Sequence, residues 1–147
     1  MIVLRSESEI GRMRAANELV SRVLASLEAA VAPGMSTADL DAMAERLVRE
    51  GGAEPAFKGY RGYPATLCAS INEEVVHGIP SPSRVLRDGD IISLDMGVKM
   101  GGYFGDSAVT VAVGRVPAGT QELLRVTRES LEKGIAQVRV GARLSDV

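Results

Sequence analysis

The 147-residue sequence has no tryptophan, one cysteine and one histidine, and its aromatic residues stop at three tyrosines and two phenylalanines. A single cysteine, Cys68, excludes an internal disulfide framework and fits a reducing compartment. A single histidine, His77, excludes a metal site built mainly from imidazoles. Any metal centre must rest on carboxylates or on ligands from elsewhere. No apolar run is long enough to span a bilayer, and the N-terminal "MIVLRSESEI" lacks the apolar core of a signal peptide. Together with the lone cysteine, this predicts a cytoplasmic protein. Neither sign of charge dominates: 17 Lys and Arg stand against 19 Asp and Glu. There is no block of like charges, hence no electrostatic signal for nucleic acid or an anionic membrane. With 46% hydrophobic and 24% charged residues, the chain has the make-up of one globular domain able to bury a core.

What is present reads as helices followed by strands. Ser6 and Glu9 form a capping-box pattern, after which Ile10, Met13, Ala16, Val20, Val23, Leu24, Leu27 and Val31 follow helical spacing up to Pro33-Gly34. Ser36 or Thr37 can cap a second helix with Leu40, Met43, Leu47 and Val48 on one face, stopped by Gly51-Gly52. A Gly- and Pro-rich stretch then holds short strand candidates at 66–70 and 73–76. "RDGDIISLDMGVKM" and "GYFGDSAVTVAVG" read as two strands joined by a glycine turn. A third helix from about Thr120 uses Leu123, Leu124, Thr127, Leu131, Ile135 and Val138. The order predicts an α+β fold, an antiparallel sheet with helices on one face.

Two carboxylates, Asp95 and Asp106, sit inside the strand pair, where aspartate is depleted and costly to bury unpaired. A turn centred on Met100-Gly101 places Asp95 opposite Asp106 and Phe104 opposite Gly97, with both aspartates on one face. Two carboxylates so close either share a proton or hold a cation between them. The plainer alternative is that both point to solvent from an ordinary hairpin. Gly97, Gly101, Gly102 and Gly105 leave the open space that a site of close approach needs.

His77 lies before Gly-Ile-Pro at a strand end or in a loop, where binding residues concentrate. It is either a ligand-contacting group or a satisfied loop histidine. "FKGYRGYPATLC" gathers Phe57, Tyr60, Tyr63 and Cys68, which line either an apolar pocket or a small satellite core. No basic neighbour or helix N-terminus activates Cys68, which reads as a wall and not a nucleophile. Finally, "VAPGMSTADL" and "VRVGARLSDV" align Gly34 with Gly141, Asp39 with Asp146 and Leu40 with Val147. Each looks like the end of one helix and the capped start of another, which reads as half of a duplicated fold, a shortened product or simply a frayed tail.

"TLCASINEEVVHGIP" and "DGDIISLDMGVKMGGYFGDSAVTVAVG" closely resemble the N-terminal half of the type I methionine aminopeptidases, which have the pita-bread fold. The likeness covers essentially the whole chain. The paired-aspartate hairpin alone is shared with aminopeptidase P, prolidase and creatinase, so the Asn72–Pro80 segment discriminates better. The resemblance implies two divalent ions (Co, Mn, Fe or Zn), with Asp95 binding one and Asp106 bridging both. It implies that His77 contacts the substrate around the scissile bond, and that Phe57, Tyr60, Tyr63 and Cys68 line the methionine pocket. The substrates implied are peptides or nascent chains with an N-terminal methionine. Family members complete the metal site with a histidine and two glutamates from a second half that residues 1–147 do not include. The expectation is therefore an N-terminal portion of the catalytic domain, inactive by itself. Its exposed apolar face would self-associate or pair with the absent half. A non-catalytic pita-bread interaction module and an X-Pro peptidase remain as alternatives, the latter disfavoured by Asn72–Pro80.

Overall fold

The computed structural model describes residues 3–147; Met1 and Ile2 of the N-terminal stretch lie outside the described residues. Helix α1 (Glu7–Ala30) starts on the predicted capping box. Glu9 N–H donates to Ser6 Oγ at 3.3 Å, and Ser6 N–H donates to the Glu9 carboxylate at 2.8 Å. These bonds hold the Glu9 carboxyl down at about 2, below its ordinary 4.5. The depressed folded value means that the ionised form favours the folded chain. That contribution is complete above about pH 4.5 and is lost as the pH falls towards about 2. Glu9→Gln is therefore expected to weaken the acid dependence of the urea midpoint within this window.

Helix α2 (Thr37–Glu50) repeats the device with Ser36 and Asp39, and ends at Gly51-Gly52. Leu19, Val20, Val23, Leu24 and Leu27 of α1 and Leu40, Ala44 and Val48 of α2 are buried. They cover one face of a four-stranded antiparallel sheet built from β1 (Glu54–Pro55), β2 (Leu67–Ile71), β3 (Ile91–Met100) and β4 (Tyr103–Ala112). Strand β3 is central, with β4 along one edge and β1 and β2 along the other. Its alternate residues Ile92, Leu94, Met96 and Val98 are 0% exposed, and the larger of them each contribute about 1.5–3 kcal/mol by burial. Gly105 of β4 lies flush against α1: a Cβ there would stand 2.6 Å from the Ala16 carbonyl carbon.

Three expectations are corrected. Residues 73–76 form no strand, because Asn72 turns the chain with φ +53° and the Glu74 side chain, not the local backbone, bonds Ile71 N–H. Helix α3 (Ala118–Gln137) begins two residues before Thr120. The β3–β4 turn is Gly101-Gly102 and not Met100-Gly101, since both central residues have positive φ, +56° and +83°. A two-residue turn of this kind needs such angles at both positions, which glycine adopts without strain and methionine does not. Asp95 therefore pairs with Ala108, Asp106 with Gly97 and Phe104 with Lys99.

The two aligned stretches take the same local turn. Gly34 and Gly141 have φ of +92° and +90°. Met35 N–H bonds Ala32 O at 3.3 Å, as Ala142 N–H bonds Arg139 O at 3.1 Å. Ser36 N–H reaches the Asp39 carboxylate at 2.9 Å, as Arg143 N–H reaches that of Asp146 at 2.8 Å. Unlike α1, helix α3 has a bare face: Leu131, aligned with the buried Leu24, is 64% exposed. No helix is long and apolar enough to cross a membrane among the described residues.

Candidate metal centre

The sheet face turned away from α1 and α2 carries the polar residues in rows across three strands. Cys68, Asp95 and Ala108 form one row, Ser70, Ser93 and Thr110 the next, and Gly97 and Asp106 lie on the other side of Asp95. Asp106 is opposite Gly97, two residues from Asp95, so the aspartates are diagonal neighbours on one face and not a directly opposed pair. Such positions lie roughly 7–8 Å apart at the backbone, with the side chains able to lean together. The positions between them, Gly97 and Ala108, carry nothing larger than a methyl group.

The electrostatics agree with this placement. Burial pushes the Asp95 carboxyl above the usual carboxylate range, the Asp106 charge pushes it further, and His77 pulls it back. His77 thus offsets the two acidic groups only in part. Hard oxygen donors, a gap between them and an incompletely compensated negative charge fit a divalent cation. Among the described residues, no group of three or more His, Cys, Asp or Glu side chains could hold a metal; this chain offers two carboxylates.

Asp106 is fixed from behind, its N–H donating to Asn17 Oδ1 of α1 at 3.3 Å. The Phe57 ring stands over Gly97, where an added Cβ would lie 2.8 Å from the ring, so it covers the flank of Asp106. Cys68 is 3% exposed and pairs with Asp95. Burial, followed by the charges of Asp95, Asp106 and Asp41, pushes its thiol up, against a hydrogen bond with Tyr63 that lowers it. The single Tyr63 hydroxyl proton is shared between Leu67 O at 3.0 Å and Gly78 O at 3.3 Å. Burial, then the Cys68 bond, raises its own pKa strongly. Tyr60 departs from this group: it is 63% exposed, with its ring against the Arg61 guanidinium.

His77 is exposed and holds a left-handed φ of +61°. It shares a cleft of about 1040 Å³ with Asp95, Ser93, Thr110 and Leu123 and Leu131 of α3. Its loop is seated by Gly78, whose carbonyl accepts Ala69 N–H at 2.8 Å and whose N–H donates to Ser70 Oγ at 3.1 Å. The structure therefore brings Asp95, Asp106, His77, Phe57, Tyr63 and Cys68 to one side of the sheet and leaves Tyr60 exposed to solvent. Sequence reasoning missed Asn17, a polar residue on an amphipathic helix with no motif around it. It also missed the close approach at Gly78.

Residues 11–147 match metallopeptidase family M24. The chain is 48% identical over 147 residues to methionine aminopeptidase 1 of Bacillus subtilis, covering 100% of this chain and 59% of that protein. It is 50% identical over 143 residues to methionine aminopeptidase 1 of Mycobacterium tuberculosis, covering 97% and 54% respectively. The crystal structure of methionine aminopeptidase from Thermotoga maritima superposes with a TM-score of 0.90 at 40% identity, over 95% of this chain and 55% of that one. The chain thus spans somewhat over half the length of the relatives it matches, and the pita-bread architecture expected from the sequence holds. A carboxylate-bearing sheet face, a fold shared at a TM-score of 0.90 and a match over nearly the whole chain place this protein in metallopeptidase family M24.

Proposed function

We propose that the chain contributes one side of the site of a methionine aminopeptidase, with Asp95 and Asp106 as its metal-holding carboxylates. The observation that carries this is their placement on one open sheet face, with only Gly97 and Ala108 between them. Divalent ions there (Co, Mn, Fe or Zn) would supply an activated water and stabilise the developing oxyanion. Asp95 and Asp106 bind and orient. His77, at the mouth of the cleft beside Asp95, donates or accepts a hydrogen bond at the scissile peptide. Phe57, Tyr63 and Cys68 exclude water and shape the side-chain pocket for an N-terminal methionine. Peptides or nascent chains with an N-terminal methionine in the cytoplasm are the proposed substrates.

Two carboxylates leave a catalytic ion's geometry unset, so the 147 residues by themselves are proposed to be inactive. The bare α3 face, Leu123, Leu131 and Ile135 at 58%, 64% and 60% exposed, favours pairing with a complementary segment or a second copy. The test fuses this chain to the part of the Bacillus subtilis relative that it does not cover. With manganese, the fusion is expected to release methionine from Met-Ala-Ser, and Asp95→Asn and Asp106→Asn to abolish this. Turnover by the 147-residue chain alone, or turnover that survives both substitutions, would refute the proposal.

A further inference from the structure

Among the described residues, strand β2 has β3 on one side and no strand on the other, yet its outward N–H groups are all bonded. Ala69 N–H goes to Gly78 O, Ile71 N–H to the Glu74 carboxylate, and Leu67 N–H to Asp41 Oδ1 at 2.8 Å. The same Asp41 oxygen accepts Thr66 N–H at 2.9 Å. A helix carboxylate thus does the work of a neighbouring strand at the first residues of β2. Among the described residues Asp41 makes no ion pair: Lys58, whose charge it feels, is bonded through Nζ to Glu45 at 2.6 Å. Holding an ion there is unfavourable unless the two N–H bonds compensate.

The clamp lies directly behind the pocket wall. Leu67, whose N–H is held by Asp41, accepts the Tyr63 hydroxyl through its carbonyl, and the next residue is Cys68, opposite Asp95. We infer that Asp41 is a positioning residue: by fixing the 66–67 peptide it sets where Tyr63 and Cys68 stand relative to Asp95, and so the side-chain selectivity of the site. The selectivity part rests on the peptidase proposal above; the positioning part does not.

Cys68 is the chain's only cysteine, so its labelling rate with a thiol reagent under native conditions reports this wall alone. Asp41→Ala is expected to speed labelling by at least about tenfold, as two bonds to a charged acceptor are lost. Asp41→Asn retains the acceptor oxygen and should stay near wild type. Ser36→Ala weakens the same helix at its cap and controls for general destabilisation. Should Asp41→Ala fail to fold by circular dichroism, Asp41→Glu, with its oxygens displaced by one methylene, takes its place with the same expectation. In the fusion protein, the affected variant should raise KM for Met-Ala-Ser and narrow the preference over Leu-Ala-Ser while largely keeping kcat. Equal labelling of the Asp41 and Ser36 variants overturns the positioning role. Faster labelling with unchanged selectivity in an active fusion overturns the selectivity role, and an inactive wild-type fusion instead counts against the peptidase proposal.

Discussion

Gly105→Ala is expected to lower the stability of the chain by about 3 kcal/mol, a fall in Tm of roughly 10 °C. The added Cβ would meet the Ala16 carbonyl carbon at 2.6 Å, its oxygen at 2.7 Å and Asn17 N at 2.8 Å. All three are helix backbone, so no side-chain rotation relieves the overlap, and α1 must lift from the sheet. Gly105 lies within strand β4, where alanine is otherwise the better residue by about 0.5–1 kcal/mol; any loss therefore comes from the contact alone. Lifting α1 also withdraws Asn17 from Asp106 N–H, so metal affinity should fall with stability. Thermal unfolding followed by circular dichroism measures the first effect.

Gly78→Ala is expected to act the other way round, with a modest loss of stability and a large loss of activity. Its Cβ would lie 2.3 Å from Ala69 O and 2.9 Å from Ser70 Cα, forcing the loop off the edge of β2. The loop is exposed and buries little, but it carries His77 into the cleft beside Asp95. A displacement of about 1 Å at such a residue can cost about 10²-fold in rate. In the active fusion protein, kcat for Met-Ala-Ser should fall by about that factor, while Tm falls by only a few degrees. A kcat within a few-fold of wild type would place His77 outside the reaction.

These two glycines mark where sequence reasoning stops. The helices were legible because their caps and apolar spacing are local: Ser6 with Glu9 and Ser36 with Asp39 act within four residues. The shared face of Asp95 and Asp106 was legible for a different reason. Any even-length turn between the two strands leaves both aspartates on the same side, so moving the turn to Gly101-Gly102 changed their partners but not their face. The partners depended on which residues take positive φ, and the Gly-Gly pair should have outweighed Met100-Gly101. Gly78 and Gly105 are constrained by backbone far away in the chain, Ala69 and Ala16, which no local pattern records. The clamp by Asp41 is hidden likewise, since an aspartate in the second turn of a helix resembles any solvated polar residue. The strand expected at 73–76 failed because "EEVV" favours a strand by composition, while the Glu74 side chain displaces the ladder it would join.

The claim that the two aspartates form a single cation site is tested most directly by titrating the 147-residue chain with manganese, following free Mn²⁺ by electron paramagnetic resonance. Asp95→Asn, Asp106→Asn and the double variant are compared with wild type. If one ion is held between both carboxylates, weak binding is seen in wild type, and either single change removes it as fully as the double, by at least about tenfold. Unchanged affinity in either single variant, or losses that simply add, would mean that the carboxylates act separately and that no shared site exists on this face.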